Sequence, residues 1–340
     1  MSSNKRAAVI GIGGIGKWHG QMMRDTKRID VVAVCDANAA MEAAAEEHFP
    51  GAAFYTDYVT MLAKEPLDLV AVVTPHNLHA PIAIAALEAG ASVIVEKPMA
   101  TSYADCAAMM AAAERGGRFL TVFHNRRLDG WYLSAKRVIE DGLLGNLFEI
   151  NIGINFRPGP NTWRGWKATN GGLMFDWGAH LVDYALHFAD SPVRGVSGYF
   201  YRNPALDPGL NEDHGSIRLF FESGAIANVT NYGTNRAEVR RYHLVGDRGA
   251  LVDDWNWGEA DSMTVYTALS GGQPVTMTVP YAKTVPQKYY DNIAAALYGE
   301  EPVMVSAASS ARIIDIFCTA ERSHAQGGAV LPLEGAGVKA

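Results

Sequence analysis

Between residues 7 and 123 the chain alternates two textures, and few folds accept that alternation. Short, β-branched, almost wholly apolar runs lie at 7–10, 31–35, 69–73, 92–95 and 119–123, with Ala-rich, helix-favouring stretches between them at 16–25, 39–48, 81–89 and 103–115. A strand that is apolar at nearly every position is buried on both faces, as when helices cover both sides of a parallel sheet. The connections are then right-handed crossovers. After residue 124 the texture changes. Longer runs of mixed polarity at 149–156, 216–221, 225–232, 242–245, 263–268 and 275–280 are broken by turn-like segments at 222–225 and 246–249, which predicts a mostly antiparallel sheet with one face on helices. Helical patterns at 130–141, 175–189, 287–298 and 307–326 make this half α+β. The expected fold is α/β, with a parallel-sheet domain over 1–124 and an α+β domain over 125–340. No repeat or long linker separates them.

The first strand runs into Gly11-Ile12-Gly13-Gly14-Ile15-Gly16, and a helix pattern opens there. The spacing G-x-G-x-x-G is weak alone in a chain with 34 glycines. After a strand and before a helix it is a dinucleotide fingerprint of the Rossmann type. Gly11 permits the tight turn, Gly13 lets the backbone approach a pyrophosphate, and Gly16 lets helix and strand pack closely. The helix N-terminus offers unpaired N–H groups to phosphate. Asp36, after the second strand, is placed to accept from the ribose hydroxyls and to repel a 2′-phosphate, and Ala37 and Asn38 offer no guanidinium. NAD is expected over NADP. The plainer alternative is a glycine turn with Asp36 as a helix cap.

Composition narrows the classes. The 340 residues are 49% hydrophobic and 19% charged, enough for two sizeable cores, and the net charge of -7 with no Lys/Arg run argues against a nucleic-acid binder. Cys35, Cys106 and Cys318 form no CxxC pair and suggest neither a disulfide framework nor a cysteine zinc site. The apolar segment 7–10 is too short for a signal-peptide core and 80–91 too short to span a bilayer. A cytoplasmic protein without membrane partners is expected.

Two further segments carry chemistry. Glu96-Lys97-Pro98 follows the strand at 92–95, so Lys97 stands past the carboxyl end of a parallel strand, where such sheets bind ligands. Pro98 stiffens the backbone and is able to take a cis bond. Thr74-Pro75-His76-Asn77-Leu78-His79 occupies the same edge one strand earlier. In the second half, Asp176 and His180 are four residues apart after a Gly pair and so fit one helix face. A carboxylate beside an imidazole suits a general base near neutral pH. The alternatives are a solvated Lys97, a capping Asp176 and a core His180. His76/His79 and His180/Asp183 have some ligand-like spacing but lack a third ligand, so no metal is expected.

Together these segments, with Trp163-Arg164 and the run 171–183, resemble the glucose–fructose oxidoreductase / inositol dehydrogenase (Gfo/Idh/MocA) family over nearly the whole chain. The resemblance implies a Rossmann domain followed by a large open sheet, through which members associate into dimers or tetramers. It implies NAD(P)-dependent oxidation of a sugar or cyclitol hydroxyl. His180 would take the hydroxyl proton, Lys97 would hydrogen-bond that oxygen, and Asp176 would orient their partners. It also implies a cofactor site of Gly11, Ile12, Gly13, Gly14, Ile15, Gly16, Asp36, Thr74, Pro75, Asn77, His79, Glu96, Lys97, Asn125, Trp163 and Arg164. Arg126, Asn155 and Trp163 would join the catalytic residues around the substrate. The Trp and Asn residues of 151–177 suit a carbohydrate, whose faces are apolar and rims polar. One departure is that the family's Thr-Pro-Asn is interrupted here by His76. A glycoside hydrolase working by transient oxidation and a non-catalytic cofactor-binding regulator are the competing readings.

Overall fold

A computed structural model describes residues 4–255 and 261–335. The chain divides into two compact units, one running through His124 and taking in Pro286–Ala311, the other Asn125–Val285 with the chain from Arg312.

In the first unit, β1 (Lys5–Ile10), β2 (Ile29–Cys35), β3 (Ala53–Tyr55), β4 (Leu69–Val72), β5 (Ser92–Val95) and β6 (Leu120–Val122) form one sheet in the order β3-β2-β1-β4-β5-β6. Every pairing is parallel, the doubly wound order whose direction reverses between β1 and β4. The strands β4 and β5 are buried at every residue, as their unbroken apolar runs require. Helices α1 (Gly14–Asp25), α2 (Glu42–His48), α3 (Tyr58–Lys64), α4 (His79–Glu88) and α5 (Tyr103–Gly116) connect them. Local chemistry sets their ends. Asp57 accepts from the N–H groups of Val59 and Thr60 to cap α3, Ser102 caps α5, and Gly117 at φ 58° stops α5. The sequence pattern does not reveal β3 or α3. Three residues are too few for a strand period, and β3 exists because β2 offers an edge for it.

In the second unit, β7 (Leu147–Ile154), β8 (Val193–Tyr201), β9 (His214–Phe221), β10 (Ile226–Asn231), β11 (Arg240–Gly246), β12 (Gly249–Asp254), β13 (Ser262–Ala268) and β14 (Pro274–Pro280) form a sheet in the order β14-β13-β12-β11-β7-β10-β9-β8. Only the central β7–β10 pairing is parallel. Ile150, Ile152, Ile217, Leu219, Val229, Leu244 and Leu251 bury one face, against which α8 (Gly178–Ala189) packs on β7 and β10. Helices α6 (Gly130–Glu140) and α7 (Lys167–Asn170) precede it. The other face carries a cross-strand row of Ser197, Arg218, Asn228, Asn151, His243, Val252 and Thr264. The turns at 222–225 and 246–249 do join hairpins. The strands β8 and β12 go unrecognised in the sequence. Gly198 interrupts β8's pattern because a Cβ there would lie 2.2 Å from Ala320 O.

The last two helices are α9 (Gln287–Leu297) and α10 (Ala307–Ala325). A cut after residue 124 separates the two sheets, but α9 packs with the first. Gln287 donates to Met22 O (3.1 Å), Thr121 Oγ1 donates to Val305 O (2.7 Å), and the Tyr289 and Phe123 rings lie 4.8 Å apart. Periodicity marks α9 as a helix without saying which sheet it covers. Among the described residues no helix is long and apolar enough to cross a membrane.

Candidate functional site

Four adjacent strands of the parallel sheet end at one edge, and the segments singled out in the first half of the sequence stand there. After β1, Gly11 adopts φ 90°, its N–H donates to Cys35 O (2.8 Å), and a Cβ would lie 2.4 Å from Val73 O. The 74–79 segment therefore abuts the glycine turn. A Cβ on Gly16 would lie 2.0 Å from Gly11 O, so helix and turn touch through backbone alone. Gly13 and Gly14 face open space, no side chain caps α1, and Ile15 is exposed. This bare helix N-terminus fits the pyrophosphate of a dinucleotide. Asp36 accepts from the Ile12 N–H at 3.1 Å and from the Asn38 N–H at 3.0 Å, one on each oxygen. A lone pair remains on each oxygen for ribose hydroxyls. The Ile12 side chain is buried, so Ile12 contributes only backbone.

Thr74 and Pro75 are half-buried, His76 is buried and Asn77 is exposed. His79 departs from its expected contact with the cofactor. It has no exposed surface, and its Nδ1 and Nε2 lie 2.8 Å from Pro98 O and 3.0 Å from Thr74 O. It ties two loops together and presents no face to a ligand. Burial, against the pull of the two carbonyls, lowers its pKa. The Lys97–Pro98 bond is cis. Glu96 accepts from the Lys97 N–H through Oε2 (3.0 Å) and lies 3.1 Å from His19 Nε2 through Oε1. Burial alone would raise its pKa. The hydrogen bond from His19 and the charge of Lys97 outweigh that and hold it below the ordinary value.

In the second unit, Asp176 lies outside the helix it was expected to share with His180. The helix begins at Gly178, and Asp176 ends the short 3-10 turn Leu173–Phe175 at φ -84° and ψ -92°. The preceding Gly171 and Gly172 have φ of 96° and 138°, and these turns, rather than helix period, set Asp176. Arg164 Nε lies 3.5 Å from Asp176 Oδ2, and its guanidinium stacks 4.4 Å from the Trp163 ring. His180, in the first turn of α8, is buried with the Trp177 ring 5.5 Å away. Asp183 points to a different partner, binding Arg127 through both oxygens at 2.8 and 2.6 Å.

Beside His180 stands a closed circuit of rings and guanidinium groups. Arg126 lies 5.0 Å from Trp177 and 5.7 Å from Trp131, Arg241 lies 4.2 Å from Trp131 and 4.6 Å from Trp255, and Trp177 meets Trp255 at 5.4 Å. Asp129 and Asp253 neutralise the two arginines at 2.9 and 2.8 Å. Trp131, Arg241 and Trp255 are not among the sequence-predicted site residues, because they come from three distant segments; only their pairing propensity hinted at them. A cavity of about 350 Å³ is lined by Ile154, Asn155, Glu238, Val239, Asp254 and Trp255, which includes one expected substrate residue. Asn125 sits in the 3-10 turn Asn125–Leu128. The sequence reading also passed over His19 and Tyr290, two buried polar side chains of the first unit.

Comparison with known proteins places this geometry. Residues 5–124 match the model of the oxidoreductase family with an NAD-binding Rossmann fold, and residues 132–252 match the GFO/IDH/MocA C-terminal domain. The chain is 26% identical over 340 residues to scyllo-inositol 2-dehydrogenase (NADP(+)) of Bacillus subtilis, covering 94% of this chain and 93% of that one. It is 31% identical over 236 residues to D-apiose dehydrogenase of Paraburkholderia graminis, covering 68% and 62%. The crystal structure of an NAD-binding protein from Listeria innocua superposes with a TM-score of 0.86 at 27% identity, covering 97% of each chain. The chain is therefore a dehydrogenase of the GFO/IDH/MocA oxidoreductase family, built from that family's NAD-binding Rossmann domain and its C-terminal domain.

Proposed function

We propose that this dehydrogenase transfers a hydride between a hydroxyl-bearing carbon of a sugar or cyclitol and NAD, with NADP the poorer cofactor. The observation that carries the reading is the start of α8, where buried His180 stands beside the Trp177 ring and Asp176 is held by Arg164. Aromatic faces suit the apolar face of a sugar ring, and guanidinium and amide groups suit its hydroxyls. The cyclitol and sugar named for the two relatives support the same class.

When bound, the nicotinamide supplies the hydride acceptor. His180 takes the proton of the substrate hydroxyl, a task suited to imidazole near neutral pH. Lys97 hydrogen-bonds the substrate oxygen and stabilises the negative charge that develops as the proton leaves. Asp176 orients the cationic and imidazole groups. Thr74, Pro75, Asn77, Glu96, Asn125, Trp163 and Arg164 line the cofactor. Arg126, Asn155 and Trp163 line the substrate. A homodimer or homotetramer formed through the outer face of the eight-stranded sheet, where Tyr199, Tyr201 and Tyr266 are exposed, accompanies this reading, as does a cytoplasmic location. Asp36 favours NAD because a carboxylate at the ribose repels a 2′-phosphate.

The test is NADH formation with a panel of cyclitols and aldoses. Lys97→Ala and His180→Ala should each lose at least about a hundredfold in turnover while still binding NADH. Near-normal turnover in both would remove the assigned chemistry.

A further inference from the structure

Helix α1 presents its N-terminus to the glycine turn and sends one polar side chain from its middle into the core. That side chain is His19, with no exposed surface. Its Nδ1 lies 2.5 Å from the hydroxyl of Tyr290 on α9, and its Nε2 lies 3.1 Å from Glu96 Oε1. Tyr290 is equally buried, and burial holds its phenol well above the ordinary pKa, so it keeps its proton. The phenol therefore donates to Nδ1, which leaves the imidazole N–H on Nε2, where it donates to Glu96. The other oxygen of Glu96 accepts from the Lys97 N–H at 3.0 Å. The Phe123 ring, 4.4 Å from His19, and the Tyr289 ring, 4.8 Å from Phe123, close the imidazole in.

Packing alone does not call for such a line. An apolar side chain would fill the space without the desolvation cost of three polar groups. The hydrogen bonds are fully matched from donor to acceptor, and they end on the backbone of a single residue at the ligand-binding edge of the sheet. The first link comes from α9, the segment that returns to the parallel sheet from the far end of the chain.

We propose that His19 and Tyr290 are positioning residues for Lys97. They act through Glu96, which ties the Lys97 backbone to the helix that opens the glycine turn. The proposal rests on the reading of Lys97 as a residue that touches the reacting oxygen. Both residues act at one remove, so their loss misplaces the lysine without removing a group from substrate or cofactor.

The experiment uses the full chain and compares wild type with Tyr290→Phe, His19→Leu, His19→Gln and Lys97→Ala. NADH affinity is read by fluorescence titration, the His19 tautomer by ring-nitrogen NMR, and the Lys97 amide by hydrogen exchange. Turnover is measured with NAD and scyllo-inositol. The wild-type ring should be neutral with its proton on Nε2. Tyr290→Phe, nearly isosteric and so a safe folder, should speed Lys97 amide exchange and lower kcat by about 3–10-fold, with NADH affinity and substrate KM within about twofold. His19→Leu should do more, and His19→Gln, whose amide still donates to Glu96, should recover most of the loss. If amide exchange and kcat stay at wild-type values in Tyr290→Phe and His19→Leu while Lys97→Ala is inactive, the positioning role falls and the reading of Lys97 stands. Normal turnover in Lys97→Ala overturns that reading instead. A cationic His19, or one protonated on Nδ1 alone, overturns the hydrogen-bond direction on which the proposal depends.

Discussion

The two units build their proposed sites from different material. In the parallel-sheet unit the groups offered to a ligand are largely backbone: the bare N-terminus of α1, the open Gly13 and Gly14, and loop ends gathered where β1, β2, β4 and β5 stop. In the antiparallel-sheet unit the proposed catalytic His180 stands beside side chains drawn from separate segments, Arg126, Trp131, Trp177, Arg241 and Trp255, held to one another by ring and guanidinium contacts. A backbone site needs a fixed short spacing of small residues, so it leaves a motif. A side-chain site needs only that rings and charges converge in space, so it leaves no spacing behind.

The comparison is broken most sharply at two glycines that allow close approach of backbone. A Cβ would lie 2.0 Å from a backbone oxygen at Gly16 and 2.2 Å at Gly198. Gly16→Ala and Gly198→Ala should each destabilise by about 3 kcal/mol or more, read as a drop in Tm. Only Gly16→Ala should also lose NADH affinity, and Gly13→Ala, with open space around it, should lose affinity at nearly unchanged Tm. Equal effects of Gly16→Ala and Gly198→Ala on NADH binding would erase the distinction drawn here. Next in size is Arg127→Met. Removing one member of the buried pair with Asp183, only 14% and 3% exposed, should cost about 3 kcal/mol by leaving a carboxylate without its main partner. Thermal melts would check it, with NADH affinity per folded molecule unchanged.

A smaller effect is expected at Asp36. Asp36→Ala removes the carboxylate beside Ile12 N–H and should shift coenzyme preference toward NADPH by about tenfold, measured as the ratio of the two dissociation constants. The smallest is a pH effect in the first unit. Glu96 is held below its ordinary pKa of 4.5, so it contributes stability that is present above that value and lost as pH falls through the lowered one. The acid limb of stability against pH, followed by denaturant melts, should therefore be shallower in Glu96→Gln below pH 4.5. An identical limb in both proteins would contradict the assignment.

Much of the first site could be read from the chain, and less of the second. Gly11 and Gly16 are legible because each answers a local steric demand, Gly13 by its fixed place between them, and Asp36 because it follows the next strand. His79 was legible as a residue of the edge but not in its orientation, since only packing turns both ring nitrogens onto Thr74 O and Pro98 O. Asp176 and His180 were visible as a pair, yet helix period placed Asp176 wrongly. The positive φ of Gly171 and Gly172 delays the helix to Gly178. The strand β8 hid behind Gly195 and Gly198, which break the alternation for the sake of contacts with Val330 and Ala320.

By itself the sequence determined the parallel order of elements before residue 124, the glycine turn with its acidic partner, and the change to antiparallel strands after it. These follow from periodicity and from the conformations a residue can adopt, which depend on near neighbours in the chain. Only the tertiary structure decided that α9 joins the parallel sheet, that His19 stands between Tyr290 and Glu96, and that Arg126 and Arg241 pack among three tryptophans. Those contacts join residues as far as 271 positions apart, and a burial pattern records that a side chain is inside without recording what it faces.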